Sequence, residues 1–225
     1  MSNVNRPRRG LLDGLADIVG DLYGENAAAN ARLARELQED APAPAAPVYT
    51  AKPALPAFQD MWKTADEPID WTEALASPTP TDDLTSPEKW ALYHQHAAAV
   101  LRGDTEAYLA VLKAANPVAD MMPFVTALDV SPLSADHLRA AFTVRPDLME
   151  GDARRYLSGM ALRIARDLFA VLPVTVVTVV AHQDGTSLLA VDFERRELNK
   201  VRFSFIDPVA FVEACGGVFT EPANG

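Results

Sequence analysis

Cysteine is nearly missing: the 225 residues hold one, Cys215. A lone thiol closes no internal disulfide, and without a CxxC pair there is no cysteine zinc site. A reducing cytoplasm is the expected compartment. Long apolar runs are missing too, since none approaches the ~20 residues that cross a bilayer. No membrane partner is expected. Arg6, Arg8 and Arg9 before Leu11 imitate the start of an export signal, but Asp13, Asp17 and Asp21 break the apolar stretch that must follow. There is no glycine-rich phosphate loop, nucleophile elbow or HExxH pair, so no cofactor is expected. Basic excess is also missing. A net charge of −11 repels phosphate, and nucleic acid is not expected as a partner.

What the chain does have is uneven. Its 17 prolines concentrate between Pro42 and Pro87. Residues 41–86 carry two basic and seven acidic residues, the most acidic part for its length. Four regions are expected: an N-terminal helical segment over 1–40, a Pro-rich acidic linker with an aromatic island over 41–85, an α+β domain over 86–219, and a tail over 220–225. Leu11, Leu15, Ile18 and Leu22, with Val19 beside them, form one helical stripe, and Asp13, Asp17 and Asp21 line another face. Gly14 and Gly20 each weaken that helix by up to ~1 kcal/mol relative to alanine. Such a helix forms best against a partner. A second helix is expected from Asn26 to about Gln38. The island of Phe58, Met61, Trp62, Ile69, Trp71 and Leu75 is expected to form two short helices strapped onto the main domain.

Within 86–219 the punctuation is clear. Ser86–Pro87–Glu88 starts a helix that Gly103 ends, and Asp104 caps the next, which Asn116–Pro117 breaks. Phe124–Val130 and Leu138–Val144 read as strands with a turn near Ser131–Pro132. Leu157, Ala161, Ile164, Leu168 and Leu172 recur at helical spacing until Pro173. Val174–His182 and Ser187–Glu194 pair across Asp184–Gly185, a tight-hairpin signal. Arg195–Val201 reads as a helical turn or two, and Asp207–Pro208 opens the last helix. The expected fold is α+β: a mostly antiparallel sheet packed on the long helix, with Ile164 and Leu168 buried and Arg155 exposed.

Candidate chemistry is sparse, and no catalytic residue is assigned. Arg155, Arg163 and Arg166 lie roughly on one face of the long helix, where forked donors suit an anion. Asp167, four residues after Arg163, is placed to neutralise it, so the bland account is a solvated or internally paired face. His94 and His96, two apart on a helix, cannot share a metal; His137 and His182 fall at strand ends without a visible partner. Asp184, Asp192 and Glu194 imitate the metal-holding acids of PD-(D/E)xK nucleases, but Glu194 stands where lysine is needed. That degenerate nuclease or nucleotide-binding reading is the alternative.

The stretch Leu162–Pro173, LRIARDLFAVLP, together with Leu189–Arg195, Leu198 and Phe203–Asp207, resembles the C-terminal domain of an uncharacterised family of bacterial proteins. Gly103–Asp104, Tyr108 and Asn116–Pro117 look like that family's upstream helices. The resemblance covers about 86–219 and implies a fold but no catalytic role. The leading expectation for function is a non-catalytic interaction or assembly protein. Leu11, Leu15, Ile18, Val19 and Leu22 would dock another protein or a second copy of the chain.

Overall fold

The computed structural model describes residues 60–80 and 85–220, so the expected helices of 1–40, the stripe Leu11, Leu15, Ile18, Val19 and Leu22, and the tail lie outside the described residues. The chain divides into two units, 1–48 and 49–225, and every described residue belongs to the second. That boundary falls inside the Pro-rich stretch.

The described unit is α+β. A 3-10 turn at Met61–Lys63 is followed by α1 (Trp71–Ala76), α2 (Pro87–Leu101) and α3 (Thr105–Ala115). Next come a 3-10 turn at Ala119–Phe124, β1 (Val125–Ser134), β2 (His137–Val144), α4 (Pro146–Met149) and the long α5 (Ala153–Val171). The chain closes with β3 (Val176–Gln183), β4 (Thr186–Glu194), α6 (Arg195–Leu198), a 3-10 turn at Phe203–Phe205, α7 (Pro208–Ala214) and β5 (Val218–Phe219).

The helix starts follow capping chemistry. Ser86 Oγ accepts from Lys89 N at 3.3 Å, with Pro87 in the first turn, where a missing N–H does no harm. Asp104 accepts from Glu106 N and Ala107 N at the head of α3, and Asp152 accepts from Arg155 N at the head of α5. Between α2 and α3, Gly103 has φ 78° and abuts Ala135 in the β1–β2 turn. A Cβ there would stand 2.5 Å from the Ala135 Cβ, so both conformation and space demand glycine.

The sheet order is β1-β2-β3-β4-β5. Three neighbouring pairs are antiparallel, and β2–β3 is parallel because α4 and α5 carry the chain back across. One face is apolar: Leu138, Ala140, Phe142 and Val144 of β2, Val177, Val179 and Ala181 of β3, and Val191 and Phe193 of β4 are all buried. The β3–β4 turn is the Asp184–Gly185 pair, with φ 48° and 78°, as a two-residue hairpin with positive φ at both positions requires. Two expectations are corrected. The β1–β2 reversal is at Ala135–Asp136, and Pro132 lies inside β1 opposite Leu138. Since β1 is an edge strand, a residue lacking N–H is tolerated there. The short β5, which adds to β4 after the last helix, was not expected at all.

Ile164 and Leu168 are fully buried on α5. The core also reaches back to the aromatic island: Met61, Trp62, Trp71 and Ala74 belong to the same cluster as the sheet residues. Ile69 N donates to Ala170 O and Trp71 Nε1 to Val171 O, both at 2.9 Å. Trp71 meets Tyr93 edge-on at 5.6 Å, and Trp62 approaches so closely that a Cβ on Gly159 would lie 3.2 Å from its ring. The island is a strap across α5.

Candidate functional site

The polar side of α5 is where the sequence placed its arginine face, and the structure turns that face inward. Arg163 is buried and Arg155 and Arg166 are half-buried. Arg163 Nε donates to Asp167 Oδ2 at 2.6 Å, Nη2 to Asp120 Oδ2 at 2.8 Å, and Nη1 to Thr64 Oγ1. Asp167 has no exposed surface, and its other oxygen accepts from Asp66 N at 2.8 Å. Arg166 Nη1 donates to Thr64 O at 3.0 Å and to Trp62 O. Arg155 lies over the Trp62 ring at 4.7 Å and reaches Asp207 at 3.3 Å, which is why it is half-buried rather than exposed as expected.

These contacts make a clasp. A buried charge is tolerated when it is paired and its remaining lone pairs are satisfied, and here the satisfying groups come from the strap and from the 3-10 turn before β1. Burial still dominates the balance at Asp167. It pushes the carboxyl up to about 6, against the pull of Arg163 and the Asp66 N–H. Arg155, Arg163 and Arg166 therefore do not form a shared solvent-facing anion cradle. Arg163 has carboxylates and a hydroxyl of its own chain around it.

The acids of the alternative metal site do not converge. Asp192 and Glu194 share the outer sheet face, as strand alternation requires. Asp184 sits in the turn at the other end of β4, roughly 25 Å from Asp192 at ~3.3 Å per residue. Asp192 accepts from Thr178 Oγ1 at 2.5 Å and Glu194 from Arg196 Nε at 2.6 Å. Among the described residues, no group of three or more His, Cys, Asp or Glu side chains is placed to hold a metal ion. The reading of Asp184, Asp192 and Glu194 as metal ligands is thus overturned by geometry: a hairpin separates residues at its turn from those at its open end.

Two of the histidines, His94 and His137, have structural partners. His94 Nδ1 donates to Ala74 O at 2.7 Å, joining α2 to α1. His137 Nε2 meets Thr178 Oγ1 at 2.7 Å, and Thr178 passes its own proton toward Asp192. The result is a polar line across β2, β3 and β4. Burial raises the Cys215 thiol, and Glu197 adds to that rise. A protonated thiol is a poor nucleophile.

The sequence marks Arg195 only as the start of a helical turn. It is half-buried and caps the C-terminal end of α5: Nε donates to Val174 O and Nη2 to Phe169 O, both at 2.7 Å, and Nη2 also to Leu172 O. A cation there answers the negative end of the α5 dipole. No local signal marked it, because its partners lie more than twenty residues away.

Two cavities flank the strap. One, of about 290 Å³, is lined by Asp66, Glu67, Glu73, Lys89, Trp90 and Tyr93. The other, of about 340 Å³, has Arg166, Arg195 and Asn199 with aromatic neighbours. Among the described residues no helix is long and apolar enough to cross a membrane. No family model, curated protein or solved structure matches the chain.

Proposed function

We propose that this is a non-catalytic interaction or assembly protein whose 1–40 segment docks an apolar groove on another protein or on a second copy of the chain. One observation carries the reading. The stripe Leu11, Leu15, Ile18, Val19 and Leu22 is joined through a Pro-rich, acidic stretch to a unit with an α+β core of its own, and the division between units falls at residue 48. An amphipathic stripe on a semi-rigid tether is a helix-in-groove design, in which residues at i, i+4 and i+7 anchor the contact. The same reading places the protein in the cytoplasm, on the strength of its single cysteine.

The test is Leu15→Asp combined with Ile18→Asp. Two charges in the stripe should abolish co-purification with a partner, or self-association in light scattering, while the urea melt of the remainder stays unchanged. A full-length chain that is a partnerless monomer both with and without the two changes would refute the proposal.

A further inference from the structure

We infer that the groove between the strap and α6 binds a small monocarboxylate with an apolar body. Two arginines line it, and both are held before any ligand arrives. Arg166 is fixed by the strap carbonyls of Trp62 and Thr64, with its guanidinium 3.9 Å from the centre of the Phe203 ring. Arg195 is fixed by carbonyls at and just beyond the end of α5, those of Phe169 and Val174, and lies 4.9 Å from the centre of the Phe169 ring.

Each keeps donors in reserve. Among the described residues, Nε and Nη2 of Arg166 and Nη1 of Arg195 have no hydrogen-bond partner. A guanidinium stacked on a ring has little freedom left to lose, so an added bond to a carboxylate is made at small entropic expense. Asn199 stands at the same groove, and its amide is a further donor.

The walls set the rest of the ligand. Phe169, Leu198 and Phe203 line the groove beside the arginines, so an apolar body is sheltered where its charged end is bonded. The volume of about 340 Å³ suits a compound of modest size. Asp66 also lines the groove, and Arg163 Nη2 at 4.0 Å partly answers its charge. This site is independent of the N-terminal docking reading, and either can fail alone.

The probes are hexanoate, hexanamide and inorganic phosphate, titrated into the full chain at low salt by calorimetry. Hexanoate should bind, hexanamide at least tenfold more weakly, and phosphate more weakly than hexanoate. In nitrogen–proton spectra of the unaltered protein, the Nε–H signals of Arg166 and Arg195 should move most. Arg166→Gln should weaken hexanoate by about ten- to a hundredfold, the range for losing a hydrogen bond to a charged group. Because Arg166 also holds the strap, Asn199→Trp at the exposed rim serves as the second variant and should block binding with the fold intact. Hexanoate binding no tighter than hexanamide, phosphate binding more tightly than hexanoate, or unmoved Arg166 and Arg195 signals would each overturn the assignment.

Discussion

The two sides of α5 are buried by different physics. Toward the sheet the helix presents Leu157, Ile164 and Leu168, against strands whose inward residues are valine, alanine, leucine and phenylalanine. Toward the strap it presents Arg155, Arg163, Arg166 and Asp167, against backbone carbonyls, a hydroxyl and carboxylates. Apolar burial is non-directional and tolerates volume-conserving exchange. The strap side depends on each donor meeting its acceptor, and it fails when a single partner is removed. One helix thus has a forgiving side and an exacting side.

The largest expected effect comes from breaking the exacting side. Asp167→Ala should destabilise the protein by about 3–5 kcal/mol, the range for removing one partner of a buried pair. It removes the buried one of Arg163's two close carboxylates, leaving the exposed Asp120, and strips the Asp66 N–H of its acceptor. A urea midpoint within error of the unaltered protein would show that the clasp contributes nothing.

Leu168→Ala tests the forgiving side. It should cost about 2–5 kcal/mol, through lost transfer energy and a residual cavity. The contrast between the sides predicts that Leu168→Met costs under about 1.5 kcal/mol, and equilibrium urea melts of the two variants check it. Equal losses for both would mean that the sheet side is as exacting as the strap side.

The smallest effect is a slope against pH. The folded Asp167 carboxyl is raised to about 6 from an ordinary value of 3.8. Between those values the folded chain holds more proton than the unfolded one, so this group's contribution to stability falls as pH rises from about 4 to about 6. The slope is at most about 1.4 kcal/mol per pH unit. Carbon NMR of the Asp167 carboxyl should titrate near 6, and a midpoint near 4 would refute the assignment.

Much of the fold was legible, because its signals are local. Ser86 and Asp104 cap helices through bonds that reach two or three residues, and Asp184–Gly185 makes its hairpin with its own backbone angles. The period of Leu157, Ile164 and Leu168 shows which side of α5 is apolar. The site was less legible. Arg163 and Asp167 are visibly four apart, but Thr64, Asp66 and Asp120 come from segments 43 to 101 residues distant. The His137–Thr178–Asp192 line depends on a parallel β2–β3 register that no hairpin turn dictates.

By itself, then, the sequence determined α2, α3, α5 and α7, the β3–β4 hairpin, the α+β class and the apolar side of the long helix, since propensity, capping and periodicity act over a few residues. Only the tertiary structure decided that the arginines face inward, that Arg195 caps α5, that Asp184 stands apart from Asp192 and Glu194, and that a groove opens between the strap and α6. Those outcomes depend on which distant segments meet. That is set by packing the described residues around one core, where a buried guanidinium must find its acceptors wherever the fold brings them.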